Sequence, residues 1–276
     1  MLLDNTISIY TSTIASGVTF PRTAGGAQHD TGWDYPAWVV LSVEERQRMS
    51  RFVRFDDALL YCAAHSLKRQ ALSLHFPAIA PSEWRFSHEG NGKPVIANAV
   101  ASDTIHFSLS HSWPVAAVAI SRVRPCGVDV ETEAGAPKNL DGMDAALHPA
   151  EQACLRDATD KRSCFLDLWT RKEAAAKALG CGLAWEFSSF HVCPRCGCVL
   201  CADGSPASVC ARSVPFRPGV SLAVGWIGLV NDVLDIQTRC ADANMLAPRP
   251  TGTRRPRPAN GGPNGRSFAE AMERRQ

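Results

Sequence analysis

Apolar and polar residues recur along this chain with two periods, and each period predicts an element. Thr6-Ile7-Ser8-Ile9-Tyr10-Thr11 alternates and predicts a strand, followed by a Gly/Thr/Ala-rich loop at 18–32. From Ser42 the pattern turns helical, with Ser42 and Glu45 placed as a capping box for a short helix to Arg51. Asp56 and Asp57 open a longer helix that runs through Arg69 to about Ser73. Acidic residues begin it and basic ones end it, as the helix dipole favours. Glu89 to Pro94 predicts a tight turn that lifts Lys93 to a loop tip. His106 to Ser112 alternates, and Val115 to Ile120 is apolar enough for a buried strand. Gly127-Val128-Asp129-Val130-Glu131 reads as the next strand. A helix starts at His148-Pro149-Ala150-Glu151, and another carries Trp169 to Lys177 and stops at Gly180. Phe187–Val192 and Val220–Ile227 predict further strands. The two halves repeat one coarse order, helices then strands, as a duplicated unit would.

Two of these elements carry candidate chemistry. Side chains two apart on a strand point the same way, so Asp129 and Glu131 share a face. Side chains four apart share a helix face, so Trp169, Glu173 and Lys177 line up. Asp129, Glu131 and Glu173 would repel one another unless a cation sat among them. A hard ion such as Mg²⁺ takes oxygen ligands and leaves room for substrate phosphates. Lys177, one turn beyond Glu173, could then meet a phosphate oxygen.

Composition narrows the classes. The 276 residues include 45% hydrophobic ones and carry a formal net charge of +2. The charge is uneven: residues 246–276 hold seven arginines against Glu270 and Glu273, and the remainder is net acidic. The body therefore shows no nucleic-acid footprint. No apolar run approaches the ~18 residues of a membrane helix. Met1 to Asn5 lacks the start of a signal peptide, so a cytoplasmic location and reduced thiols are expected for the eleven cysteines. Cys193-Pro194-Arg195-Cys196-Gly197 resembles half of a zinc ribbon. Cys198 and Cys201 follow too closely for two knuckles on one ion, so a Cys-rich strand or hairpin is the expectation here. Beyond about Cys240 a Pro/Gly/Arg/Asn mixture predicts disorder.

In this order, the residues resemble the 4′-phosphopantetheinyl transferases of the surfactin-synthetase-activating (Sfp) type, over Leu41 to Val230. The resemblance rests on Leu41-Ser42 with Glu45, the helix reaching Arg69, Gly92-Lys93-Pro94 and Phe107-x-Leu109-Ser110-His111-Ser112. It continues through Gly127-x-Asp129-x-Glu131 and Trp169-x₂-Lys172-Glu173-x₃-Lys177-x₂-Gly180-x-Gly182-Leu183. It implies an α+β fold of two similar α/β subdomains in pseudo-twofold arrangement, with coenzyme A bound between them and a flexible C-terminal tail. The divisions expected are 1–34 as a partly ordered segment, 35–124, 125–240 with the Mg²⁺ site, and 241–276 as the tail. It implies Mg²⁺-dependent transfer of 4′-phosphopantetheine from coenzyme A to a serine of an apo acyl- or peptidyl-carrier protein, releasing 3′,5′-ADP. Asp129, Glu131 and Glu173 match the metal ligands, and Glu173 and Lys177 the catalytic pair. Arg69, Lys93, Ser110, His111 and Lys177 match contacts to coenzyme A, and Glu151 an acidic position near the metal. Leu59-Leu60-Tyr61 stands where the family usually has a basic residue, with Arg51 or Arg54 as possible substitutes. A monomer is expected. Two other readings stay open on sequence alone: another Mg²⁺-dependent phosphodiester enzyme such as a nuclease, and a non-catalytic carrier-protein-binding module.

Overall fold

The alternation at the start of the chain forms β1 (Thr6–Thr13), slightly longer than its pattern predicts. The computed structural model describes residues 5–14, 36–88, 90, 92–99, 105–136, 142–228 and 234–241. The loop at 18–32, Glu89 and Asn91 of the predicted turn, and the tail from 242 lie outside the described residues. After β1 come α1 (Val43–Met49), α2 (Phe55–His75), β2 (Phe86–His88), β3 (Pro94–Ile96), β4 (His106–Ser112), β5 (Val115–Ser121) and β6 (Cys126–Thr132). Then follow α3 (Pro149–Asp157), α4 (Lys161–Leu179), β7 (Phe190–Val192), β8 (Cys198–Cys201), β9 (Pro206–Ser213), β10 (Val220–Ile227) and β11 (Asp235–Cys240).

Local signals set most ends. Ser42 caps α1 as predicted, its Oγ accepting from the Glu45 amide at 3.2 Å while Glu45 accepts from the Ser42 amide at 3.0 Å. Gly180 stops α4 at φ 76°, in the left-handed region glycine enters without penalty. α2 passes both Arg69 and Ser73 and ends at His75. The predicted strand at Phe187 is shorter than expected: residues 187–189 form a 3-10 turn and only Phe190–Val192 is strand.

A four-stranded sheet has the order β11-β1-β5-β4, and a five-stranded sheet the order β6-β10-β9-β8-β7. β11 lies parallel to β1, with Thr6 opposite Asp235 and Thr11 opposite Cys240. Period two then divides the strand residues between layers. Ile7, Ile9, Val115, Ala117 and Ala119 of the first sheet pack with Val128, Val130, Leu222, Val224 and Trp226 of the second. On the first sheet's other face, Tyr10, Val118 and Ile120 pack against Ala64, Leu67 and Leu72 of α2. On the second sheet's other face, Val199, Val209 and Ala211 pack with Phe165, Trp169 and Ala175. The layers are thus α2, sheet, sheet, α4.

Candidate functional site

The site begins with two glycines. Gly127 on β6 and Gly225 on β10 are directly opposite each other. A Cβ at Gly127 would fall 2.1 Å from the Ala174 carbonyl oxygen, and one at Gly225 would fall 2.3 Å from the same atom. The missing side chains let the Ala-rich stretch of α4 rest on the sheet backbone. β6 turns Val128 and Val130 into the core between the sheets, so Gly127, Asp129 and Glu131 take the opposite face. That geometry brings Glu173 and Lys177 to Asp129 and Glu131.

All three carboxylates are buried, Asp129 at 3%, Glu131 at 2% and Glu173 at 3% exposure. Asp129 Oδ1 accepts from Lys177 Nζ at 2.7 Å and from Ser110 Oγ at 2.7 Å. Glu131 Oε2 accepts from Ser112 Oγ at 2.8 Å. Burial pushes the Glu173 carboxyl up to about 7; Asp129 and Glu131 push the same way, and Lys177 opposes them. Burial would lower Lys177, but Asp129, Glu173 and Glu131 outweigh it and hold the ammonium above its ordinary value.

A divalent cation fits this donor set on one observation. Asp129 Oδ2 and Glu173 Oε2 are buried with no hydrogen-bond partner. An unmet buried carboxylate oxygen is costly, and a bound cation would satisfy both. The carboxylates do not stand in closed ligand geometry. Among the described residues, the group of His, Cys, Asp or Glu whose ligand atoms all lie within 4.8 Å is Cys193, Cys196 and Cys198.

Three serines on β4 join this strand to β6. Ser108, Ser110 and Ser112 accept the amides of Val128, Val130 and Thr132 at 3.0, 3.3 and 3.2 Å. Spaced by two, they stand where carbonyl oxygens would stand in a ladder. Ser110 therefore holds β6 and Asp129 in place, and its Oγ also takes Lys177 Nζ at 3.3 Å.

In front of the carboxylates lies an open cleft of about 2200 Å³. Lys93, His111, Lys177, Gly180 and Gly182 line it, whereas Asp129, Glu131 and Glu173 sit behind this surface. Lys93 reaches the Ala178 carbonyl at 3.5 Å, at the C-terminal end of α4. Arg48, Arg51 and Arg85 add exposed positive charge along the same cleft, and Arg54 stands in it beside Asp56 and Asp57 at 3.9 and 4.0 Å. Arg51 and Arg54 are the substitutes proposed above for the basic residue displaced by Leu59-Leu60-Tyr61. Those three side chains are largely buried, Leu60 and Tyr61 forming part of the cleft wall.

Arg69 also lines the cleft, and it is held there by Glu45. It is 1% exposed, and its Nε donates to Glu45 Oε2 at 2.7 Å. Its Nη1 donates to the carbonyls of Pro81 and Trp84 at 3.1 and 2.9 Å. Glu45 gathers His65 at 2.8 Å and Lys68 at 3.0 Å as well. These cations and the His65 hydrogen bond overcome its burial and hold the Glu45 carboxyl far below the carboxylate range. Burial wins at the partners: His65 is pushed down to about 3 and Lys68 down to about 8. Lys68 and Arg69 are thus the charged partners of Glu45, and His65, kept neutral by burial, contributes its hydrogen bond. The capping pattern identifies Glu45 as a helix start but not as this hub; the i, i+3, i+4 spacing of His65, Lys68 and Arg69 is the signal that points to it.

Glu151 on α3 is held by Lys172 and the backbone of β7. Its Oε2 accepts from Lys172 Nζ at 2.6 Å and its Oε1 from the Val192 amide at 3.1 Å. Lys172 also donates to the Phe190 carbonyl. Lys172 is fully buried, and the pair ties α3, α4 and β7 together.

Comparison with known proteins bears on what this arrangement does. Residues 125–218 match a family described as the 4′-phosphopantetheinyl transferase superfamily. Residues 31–122 match one described as 4′-phosphopantetheinyl transferase, N-terminal. The chain is 31% identical over 147 residues to the 4′-phosphopantetheinyl transferase HetI of Nostoc sp., covering 52% of this chain and 61% of that protein. It is 30% identical over 156 residues to the 4′-phosphopantetheinyl transferase Sfp of Bacillus subtilis, covering 55% and 66%. It is 27% identical over 162 residues to the L-aminoadipate-semialdehyde dehydrogenase-phosphopantetheinyl transferase of Schizosaccharomyces pombe, covering 54% and 62%. The chain thus spans less than two thirds of the length of each of these relatives.

Proposed function

We propose, because the chain belongs to the 4′-phosphopantetheinyl transferase superfamily, that it transfers 4′-phosphopantetheine from coenzyme A to a serine hydroxyl of an apo acyl- or peptidyl-carrier protein. The observation that carries this is the meeting of buried Asp129 and Glu131 on β6 with Glu173 and Lys177 on α4, directly behind a basic cleft. Within the superfamily, the motif order from Leu41 to Val230 favours the Sfp type. The division into halves at 124/125 and a cytoplasmic monomer are proposed with it. The transferase names of the relatives lend nothing to a phosphodiester-cleaving alternative.

Phosphoryl transfer asks a protein mainly for alignment and charge neutralisation. Asp129, Glu131 and Glu173 would hold Mg²⁺, which when bound supplies positive charge against the pyrophosphate of coenzyme A. Lys93, His111 and the arginines of the cleft bind and orient the nucleotide. Lys177 contributes a charge to the pyrophosphate and a proton to the departing phosphate of 3′,5′-ADP. Glu173, or a water it holds, takes the proton of the attacking serine, a role open to a carboxylate within hydrogen-bond reach. The serine oxygen bonds to the β-phosphorus as the bond from that phosphorus to the bridging oxygen breaks. Ser110 and Ser112 keep the acceptor carboxylates still.

The test is to incubate the protein with coenzyme A, Mg²⁺ and several apo carrier proteins and to weigh each carrier. A gain of the phosphopantetheine mass is expected with at least one. No gain with any of them contradicts the assignment.

A further inference from the structure

The turn between β7 and β8 holds sulfur atoms to which the transfer reaction gives no part. The Sγ atoms of Cys193, Cys196 and Cys198 all lie within 4.8 Å of one another. All three are reduced and partly buried. None lines the cleft.

The backbone forms this cluster independently of contacts among the sulfurs. The Gly197 amide donates to the Cys193 carbonyl at 2.9 Å, and the Cys193 amide to the Cys198 carbonyl at 2.9 Å. Gly197 has φ 78°, and a Cβ there would fall 2.6 Å from the Ala211 carbonyl oxygen. The Arg212 guanidinium donates twice to the Cys196 carbonyl, at 3.3 and 3.2 Å. The amides of Cys196 and Arg195 are directed at the Cys193 sulfur.

We propose that Cys193, Cys196 and Cys198 bind one zinc(II) ion as three thiolates, with water or an added thiol in the fourth position. Zinc–sulfur bonds of about 2.3 Å set tetrahedral sulfurs about 3.8 Å apart, within the spread of this cluster. Cys201 and Cys210 lie outside it; Cys210 is buried with its Sγ 3.7 Å from the Gly228 carbonyl. Two knuckles on one ion would need four sulfurs, whereas this turn presents three at once. β7 is the edge strand of its sheet, so the ion would clasp β7 and β8 where pairing on one side is missing.

The experiment uses the full, reduced chain freed of metal and titrated with zinc(II), then with cobalt(II) as a coloured replacement. One ion per chain is expected, with an intense near-ultraviolet thiolate-to-cobalt band. Cys196→Ser and Cys198→Ser should each lose most of that band, while exposed Cys154→Ser keeps it. Glu173→Ala should also keep it, which separates this site from the carboxylates. Circular dichroism of each variant checks that the fold survives. A wild-type chain that takes up neither ion while folded overturns the proposal. So does a band that persists in both serine variants, or protein isolated with a Cys193–Cys196 disulfide that binds no metal after reduction.

Discussion

The Ser110 hydroxyl donates to Asp129 Oδ1 at 2.7 Å and accepts the Val130 amide at 3.3 Å. One side chain thus ties the edge of the first sheet to a carboxylate and to the backbone of the second. Ser110→Ala leaves a buried amide and a buried carboxylate oxygen each short of a partner. A loss of about 1–3 kcal/mol in stability is expected, together with a higher Mg²⁺ requirement. Urea unfolding and a Mg²⁺ titration of the transfer rate check both. A variant with unchanged Mg²⁺ dependence would reduce Ser110 to a packing residue.

Asp129→Ala and Glu173→Ala are expected to abolish transfer while the fold survives, since each removes a buried charge from a crowded site. Lys177→Ala should slow transfer by orders of magnitude. Carrier mass shifts measure the rates, and near-normal turnover by Lys177→Ala would refute its role.

Gly127→Val places atoms inside the contact between β6 and the backbone of α4. Overpacking of this kind costs about 1–3 kcal/mol and occasionally more, because the opposing atom is a carbonyl that cannot rotate away. A lowered midpoint in urea should accompany lost activity, since Glu173 and Lys177 ride on the displaced helix. Full activity in a stable variant would show that the close approach is dispensable.

His65 makes stability depend on pH. Its value in the fold is about 3, lowered by burial and by Lys68, against 6.5 for the free side chain. Below pH 6.5 the unfolded chain takes a proton that the fold refuses, so this contribution is lost as pH falls. The ceiling is about 1.4 kcal/mol per pH unit. Glu173 acts in the opposite sense. Its raised value favours the fold at low pH, and that benefit disappears as pH climbs through about 7. The informative quantity is therefore the difference between wild type and His65→Gln, unfolded in metal-free buffer at pH 7 and pH 5. The wild type should lose more stability than the variant; parallel curves would contradict the assignment.

Ending the chain at residue 233 removes β11 and uncovers β1, whereas ending it at Ala241 keeps the pairing. The shorter chain should be markedly less stable and less active, and the longer one unchanged. Thermal unfolding and the transfer assay together check this.

Much of the site is legible in sequence because it depends on local periodicity. The two-residue spacing of Asp129 and Glu131 and the four-residue spacing of Glu173 and Lys177 fix their faces without knowledge of the fold. The tie of Arg69 to Glu45 escapes the sequence because a helix pattern says which residues share a face but not what waits opposite. The serine rungs need β4 to abut β6, a relation no local pattern contains. β11 escapes notice because it is largely exposed and polar, with Gln237, Thr238 and Arg239 giving little alternation. The cysteine turn is visible as a motif, yet only the fold shows that three sulfurs converge.

The partnership of Thr6 with Asp235 has a consequence for synthesis. On the ribosome, the first strand must wait with one flank open until more than two hundred further residues have emerged. Throughout that interval the nascent chain presents a strand edge backed by Ile7 and Ile9 to its neighbours. Crowded expression should therefore favour intermolecular pairing at this edge, and slower translation or chaperone capture should relieve it.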